Sequence, residues 1–597
     1  MEVGENRIFK RIDAELNTDG RFVLYWMQIH RRLNFNFALQ RAVELARSSN
    51  RPLLIYEGLR PDYPHSSDRF HGFLMDGMAE HCAAFAQNGG LLGPDLNRES
   101  MAKMFPPGLL GASKSAAKAN AAFLAADCYY LPFLPRSPQD ARGFLVRLCN
   151  QAVAVVSDEF PTFIIPGQNQ ALQNKLTIYF ETVDANGIIP LKETKSDPYS
   201  AYLFRKILQK RFTSCFKEFP LEFPIGAAEG AGGSSGGKAK GLRVDRSAGT
   251  SASTASSEST ASSESTASSE STASSASNAA NASPDATALR WDDLGMEAFR
   301  GEIRQSLELL SDWYQSDSDS KRRKLLEKFP LDHRVELLPM RGHSEAGRAQ
   351  MIDFIHRMPD YPEKRNDPDA QAASGLSPYL HFGRVSIHEI VRSIFRAYDL
   401  GDFPGGMVYN NGSKGFFPGP PEIDAFLDEA LTWRETGYHF CHHRADYDQF
   451  ASLPDWARNT LMEHRTDHRP YQYSLEQLES AATHDEIWNA AQRELVRTGK
   501  IHNYLRMLWG KKILEWSADP RTALETALHL NNKYSIDGRN PNSYSGVFWI
   551  FGRFDRPWQE RPIFGKIRYM SSEQTRKKVK LREYLERFGP EEQGRLL

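Results

Sequence analysis

Several stretches of the chain combine residue types that chemistry needs and a plain core does not. Trp509 and Trp516 stand seven apart in LRMLWGKKILEW, about 10 Å of helical rise, and Trp488 lies on the preceding helical pattern. Indole is the most easily oxidised common side chain, so this spacing suits one-electron hopping. A tryptophan stripe beside the apolar face of Leu505, Leu508 and Leu514 is, however, more often core than wire. Glu429 and Trp433, in EALTWRE, are four apart and share one face of a helix; an acidic and an aromatic residue at that spacing are usually surface plus core. Ser374, Gly375, Leu376 and Ser377 precede Pro378, where short hydroxyls and free N–H groups at a helix start suit a phosphate, although an ordinary N-cap has the same pattern. Arg553, Arg556, Arg561, Lys566 and Arg568, then Arg576, Lys577, Lys578 and Lys580, are dense enough to neutralise a phosphate backbone. A solvated basic surface accounts for them equally well.

Positioning these residues falls to two kinds of element. In the N-terminal part, apolar runs at 21–28 (RFVLYWMQ), 52–56 (PLLIY), 152–156 (AVAVV), 162–165 (TFII) and 176–181 read as strands, and 35–48 and 70–87 read as helices. That alternation indicates a parallel α/β sheet, Rossmann-like in layering, although no G-x-G-x-x-G follows the first strand. Residues 226–288 are almost entirely small and polar, with Ser-Thr-Ala-Ser-Ser-Glu recurring; such a segment has little apolar surface to offset its ordering entropy and reads as a disordered linker. Beyond it, three-to-four-residue apolar spacing at 298–314, 346–357, 387–398, 422–440, 475–497, 501–516 and 522–530 predicts an all-helical half. Residues 403–421 are too rich in Gly and Pro for regular structure and read as a long loop. The expected domains are therefore 1–225, α/β, and 289–597, helical.

Composition bounds the partners less sharply. The 597 residues carry 74 Lys+Arg against 75 Asp+Glu, net −1, so the total neither advertises nor excludes a polyanion. Cys82, Cys128, Cys149, Cys215 and Cys441 lie far apart, without zinc-site or disulfide spacing, which favours a reducing, intracellular compartment. The first ten residues are charged, and no run of about 18 apolar residues occurs, so neither a secretory signal nor a membrane span is expected.

The order and spacing of YWMQ with RRLNFNFAL (25–39), SGLSPYLHFGRVS (374–386), THDEIWNAAQ (483–492), LRMLWGKKILEW (505–516), LNNKYSIDGRNPN (530–542) and ERPIFGKIRYM (560–570) closely resemble the class II cyclobutane pyrimidine dimer photolyases of the photolyase/cryptochrome family. The resemblance covers both halves, leaving out the linker and the middle of the N-terminal half. It implies an α/β domain plus a helical domain holding FAD without covalent attachment, and a light-driven lyase in which the excited reduced flavin lends an electron to a flipped-out dimer in UV-damaged DNA. It further implies a soluble monomer in the cytoplasm or wherever the DNA lies, and it admits a second, antenna chromophore, deazaflavin or folate. Residues 31–37 lie in a plausible place for the antenna, but no residue identifies the molecule. A cryptochrome-like photoreceptor with the same flavin site and no repair activity is the alternative.

Residue by residue, the resemblance assigns Tyr361, Ser374, Gly375, Leu376, Ser377, Arg434, Asn503, Arg506 and Asp537 to the flavin, with Asp537 as a partner for Arg506 and Asn531 facing flavin N5. It assigns Glu429, Trp433, Trp549, Met507 and Arg365 to the lesion; Trp509, Trp488 and Trp516 to photoreduction; and Arg553, Arg556, Arg561, Lys566 and Arg568 to DNA. The chain departs from the family pattern at Asn503, usually Gly, and at Asn532 and Asn540, usually Asp. Retention of the lesion residues favours repair over signalling.

Overall fold

The computed structural model describes residues 2–107, 127–226 and 289–590. The expected linker therefore lies outside the described residues, apart from Gly226.

Strands β1 (Ile8–Ile12), β2 (Phe22–Trp26), β3 (Leu53–Gly58), β4 (Cys128–Phe133), β5 (Ala152–Glu159) and β6 (Phe180–Asp184) form one sheet in the order β1-β6-β5-β2-β3-β4. All neighbouring pairs are parallel except β1 with β6. The expected parallel sheet thus carries one antiparallel edge strand; its sequence, IFKRI, is charged and half-exposed and gave no strand signal. Every residue of β2, FVLYW, is buried, as befits a central strand covered on both faces. Helix α1 (Phe37–Ser48) starts where buried Asn36 accepts from Ala38 and Leu39 N–H. Helix α2 (Asp68–Asn88) ends on left-handed Gly89.

Residues 162–165 do not continue the sheet. They turn into α3 (Ile164–Gln173), because Pro161 has no N–H for a ladder. The Phe163 N–H goes instead to the Tyr447 hydroxyl at 2.9 Å.

The helical part comprises, among others, α4 (Ala201–Lys217), α5 (Arg300–Gln315), α6 (Ser344–Arg357), α7 (Ile387–Ala397), α8 (Pro421–Leu427), α9 (Arg434–His443), α10 (Glu486–Thr498), α11 (Asn503–Trp516), α12 (Pro520–Tyr534) and α13 (Pro541–Ile550). Two expected helices are interrupted. The 475–497 pattern breaks into a short helix, Leu475–Glu479, and α10, whose N-cap Asp485 accepts from Trp488 N–H. The 422–440 pattern passes through a π-helical stretch, Asp428–Trp433, between α8 and α9. Residues 403–420 form no helix or strand; they are pinned by Asp424, which accepts from the Gly415, Phe416 and Phe417 N–H groups.

Buried arginines stitch the two parts together. Arg384 donates to the Arg31 and Leu74 carbonyls at 2.8 and 3.1 Å, and only glycine fits opposite it, since a Cβ on Gly77 would lie 1.8 Å from its guanidinium carbon. Arg32 reaches the Gly383 carbonyl, and Arg69 those of Tyr534 and Val496. Glu435 accepts from Ile188 and Ile189 N–H at 2.7 and 3.0 Å. One apolar cluster runs continuously from the sheet into the helices as far as Leu431 and takes in Ile536, and a second is built around α10, α11 and α12.

Candidate active site

The π-helical stretch gathers three contacts on successive sides. Asp428 is gripped by Arg205 of α4 through bonds of 2.8 and 2.9 Å. Glu429 pairs with Arg365. Trp433 stacks on Trp549 of α13, ring centroids 4.4 Å apart and planes 15° from parallel. A π turn carries more residues than an α turn and recurs at functional sites; here it lets neighbouring side chains serve separate partners. Tyr361 sits with this group, its ring 5.7 Å from the Arg365 guanidinium and edge-on to Phe354 and Phe426. Burial, reinforced by Glu429, pushes its hydroxyl up to about 12, so it stays a neutral hydroxyl at pH 7. Met507 is half-buried at the rim of the second core.

Ser374, Gly375, Leu376 and Ser377 form the turn into a short helix at Pro378. Gly375 is left-handed at φ +70°, and Gln350 donates to the Ser374 carbonyl at 2.8 Å. Asn503 opens α11 and accepts from Arg506 at 2.9 Å. The expected Arg506–Asp537 pair does not form, because Asp537 accepts from Ser535 in its own turn. Asn531 is buried with only a long 3.4 Å contact to Asn532.

The two amides standing where the family carries carboxylates have structural partners. Asn532 accepts from Arg539 N–H at 2.8 Å. Asn540 caps α13 through its oxygen while its nitrogen donates to His381 at 2.9 Å and Tyr438 at 3.3 Å, which a carboxylate could not do. Arg434 is one residue past Trp433 and therefore points elsewhere: it donates to the Asn186 carbonyl and covers the Tyr438 ring, facing the α/β part rather than the Ser374 turn.

Sequence reasoning missed His502. Both its ring nitrogens are buried without a partner among the described residues, beside Arg365 and Arg506, and burial holds its pKa down to about 4. An orphaned neutral imidazole, an arginine bonded only to an amide, and exposed Ser377 at a helix start make a donor set that fits an anionic heteroaromatic cofactor.

Trp488, Trp509 and Trp516 are all buried in the second core. Trp488 Nε1 donates to the Trp509 carbonyl at 2.9 Å, and its ring meets Trp516 edge-on at 5.5 Å. Trp509 Nε1 donates to Gln492. From Trp516 the ring contacts continue to Tyr473 and His484, and from His484 to exposed Tyr471 at 3.9 Å. All three tryptophans are core, and ring-to-ring contact joins Trp488 to Trp516, while Trp488 reaches Trp509 through its backbone carbonyl; the tyrosines carried no signal, lying outside regular helical spacing.

Of the basic residues, Arg553 is wrongly placed by sequence alone. It is buried, donates to the Ser452 carbonyl, pairs with Asp197 and lies over Phe440, because it follows directly on the buried end of α13. Arg556, Arg561 and Lys566 are exposed. Arg556 and Arg568 lie 5.8 and 5.2 Å from the ring of Trp558, an exposed tryptophan that the sequence reading passed over. Arg576, Lys577, Lys578 and Lys580 line a surface groove together with Glu363, Asp367 and Asp369.

No protein-family model matches the chain. A curated deoxyribodipyrimidine photo-lyase from Methanothermobacter thermautotrophicus is 31% identical over 575 residues, covering 95% of this chain and 95% of its own. Proteins of the same name from Oryza sativa subsp. japonica and Potorous tridactylus are 43% and 40% identical over 231 and 247 residues, 38% and 41% of this chain and 42% and 43% of theirs. Among solved structures, a bacterial class III photolyase from Agrobacterium tumefaciens aligns with TM-score 0.56 at 15% identity, over 97% of this chain and 88% of that one. A Synechocystis cryptochrome aligns with TM-score 0.51 at 14% identity, over 95% and 88%. At such identities these two likenesses concern the fold alone.

Proposed function

Since the chain belongs to the deoxyribodipyrimidine photo-lyase family, and is by that membership a DNA-repair photolyase, we propose that it splits cyclobutane pyrimidine dimers held between the Glu429–Arg365 pair and the Trp433–Trp549 stack. That juxtaposition carries the reading: a flipped base needs hydrogen-bonding groups at its edges and aromatic surface on its faces, and one π turn supplies both. Trp433 and Trp549 are half-buried, leaving ring surface to pack against a lesion. Arg365 keeps Glu429 oriented with one carboxylate oxygen, leaving the other to accept from a pyrimidine N–H. Met507, half-buried on α11, would contact the dimer.

The family is generally FAD-binding. Bound FAD supplies light absorption and one-electron transfer. In this chain the Ser374–Ser377 turn would hold its diphosphate, Arg506 and Asn503 would flank the ring system, and Asn531 would face N5. Asp537 supports that wall through Ser535. Trp509, Trp488 and Trp516 would deliver the electron that restores the reduced state, and Arg556, Arg561, Lys566 and Arg568 would meet DNA phosphates around exposed Trp558. The cavity at the carboxyl ends of β2, β3 and β5, about 760 Å3, is the place for a second chromophore; of residues 31–37 only Arg31 lines it.

The test is to purify the full chain, record its visible spectrum, and mix the reduced protein with UV-irradiated thymine oligonucleotide under blue light. Flavin absorbance with light-dependent dimer reversal is expected. Bound flavin without reversal would overturn the lyase reading in favour of a photoreceptor, and a colourless, correctly folded protein would overturn both.

A further inference from the structure

The ring contacts that lead outward from Trp516 end in an arrangement that packing alone does not require. Trp516 is 3% exposed, so an electron taken from it has to be replaced through whatever covers it. Two rings do so, from the loops on either side of the short helix Leu475–Glu479. Tyr473 meets Trp516 edge-on with centroids 5.2 Å apart, and His484 meets it at 5.4 Å. Tyr471, 51% exposed, stacks on His484 at 3.9 Å with planes 26° from parallel.

The two covering rings are bonded to each other with a direction. The His484 backbone N–H donates to Tyr473 Oη at 3.1 Å, which uses an acceptor position of the hydroxyl and leaves its proton for the remaining contact, His484 Nδ1. A phenol has one proton to give, and a neutral imidazole nitrogen within hydrogen-bond reach is a base suited to take it. Neither ring is left to drift. Ser474 and Gln477 close a capping box directly after Tyr473. Thr483 is clasped by Asn489 through bonds of 2.7, 2.8 and 3.1 Å, and Asp485 accepts from Trp488 N–H at 3.0 Å. Both chain neighbours of His484 are thus fixed, one of them to the residue that bears the next ring inward.

This pairing answers a chemical need. A phenol that loses an electron becomes so strong an acid that its proton leaves at once, so a tyrosine can refill an oxidised tryptophan only where a base stands ready. We propose that Tyr473 is the outer electron donor of the photoreduction path and that His484 is the base that enables it. The inference rests on the photoreduction reading of Trp488 and Trp516 and adds a proton transfer to it. One electron passes from Tyr473 to the oxidised Trp516 ring, which returns to neutral indole. The Tyr473 O–H bond breaks and the proton bonds to His484 Nδ1, leaving a neutral tyrosyl radical and an imidazolium. A small thiolate in solution then gives one electron to the tyrosyl oxygen, the imidazolium returns the proton, and a thiyl radical departs. In the interval the positive charge sits on a surface imidazole and not on the buried path, which slows the electron's return.

Flash photolysis of the FAD-containing full chain, oxidised at the start and followed by transient absorption, tests this. In the unaltered protein a tryptophan radical should give way to a tyrosyl radical, more slowly in heavy water than in light water. Tyr473→Phe keeps a ring over Trp516 and removes the hydroxyl, so the tyrosyl signal should vanish and the tryptophan radical should live longer. His484→Gln keeps an acceptor without a base; since a positioned base is worth about 10²–10⁴-fold, the tryptophan-to-tyrosyl step should slow by roughly 100-fold or more. Tyr471→Phe should leave the rate and yield of that step unchanged. FAD content and the thermal melt report that each variant folds. An unchanged tryptophan radical lifetime in Tyr473→Phe, or loss of the tyrosyl signal in Tyr471→Phe instead, would overturn the role of Tyr473. Tyrosyl formation at the unaltered rate in His484→Gln would overturn the role of His484. A tryptophan radical that decays in the unaltered protein with no tyrosyl radical formed would overturn the inference alone, whereas no tryptophan radical at all would overturn the photoreduction reading with it.

Discussion

Replacing Glu429 with Gln isolates the lesion pocket from the rest of the protein. The two partners of the Glu429–Arg365 pair are each 31% exposed, so water screens their attraction and its loss should cost folding less than about 1 kcal/mol. Binding should respond more strongly. A hydrogen bond to a charged group is worth about 1.5–3 kcal/mol, or roughly 10- to 150-fold in affinity at about 1.4 kcal/mol per tenfold. Glutamine keeps the shape and one acceptor, which places the expected loss at the lower end, about 10- to 50-fold. The assay is fluorescence anisotropy at fixed salt with two oligonucleotides of one sequence, with and without a thymine dimer, alongside a thermal melt. The damaged strand should lose affinity, the undamaged strand should keep it, and the melting temperature should move by no more than about 4 °C. Equal losses on both strands, or none on either, would refute the assignment of Glu429 to the lesion.

Trp516→Phe should slow photoreduction of oxidised protein and spare repair by chemically reduced protein, compared by light-minus-dark absorbance and dimer reversal; equal loss of both would make Trp516 structural only. Asn540→Asp keeps the α13 cap but removes the donor to His381 and Tyr438, so chemical denaturation should show about 1–3 kcal/mol lost. Lys511 is fully buried, bonds the Ile550 carbonyl and is held down to about 7 from 10.5 by burial. The unfolded chain therefore binds more protons between those values, and stability should rise with pH across that window, by up to about 5 kcal/mol; Lys511→Met should flatten the profile. Arg556→Gln and Arg568→Gln should each reduce the salt slope of DNA binding by about one, while Arg553→Gln should lower stability without that signature.

Much of this molecule was legible beforehand, for reasons that differ by element. Strand β2 announced itself because a doubly covered strand must be apolar throughout, and α1 because Asn36 caps an amphipathic run. Strand β1 was silent because an edge strand has one open side and tolerates Lys10 and Arg11. Residues 162–165 misled because four apolar residues fit a strand or a buried helix start equally, and only Pro161 and the distant Arg539 and Tyr447 decide between them. At the candidate site, motif resemblance nominated Glu429, Trp433, Arg506 and Trp488, of which Glu429 and Trp433 lie together on the π-helical stretch. Arg434 and Arg553 went astray because a one-residue step around a helix turns a side chain by about 100°, which a motif does not register. His502 stands out through its two ring nitrogens and Arg539 through its Nη1, which have no hydrogen-bond partner among the described residues, and that is a property of packing and not of sequence.

The hydrogen bond from the Thr162 hydroxyl to the Arg539 carbonyl also sets a timetable. The two residues are 377 apart in the chain, so a ribosome adding about 5–20 residues per second releases Thr162 roughly 20–75 s before Arg539 exists to close the wall beside it. During that interval the nascent sheet can assemble but its cavity stays unfinished and its apolar rings wet. Any ligand of that cavity would therefore be captured late, after nearly the whole polypeptide has been made, and a chaperone that shields the open crevice would act most in that interval.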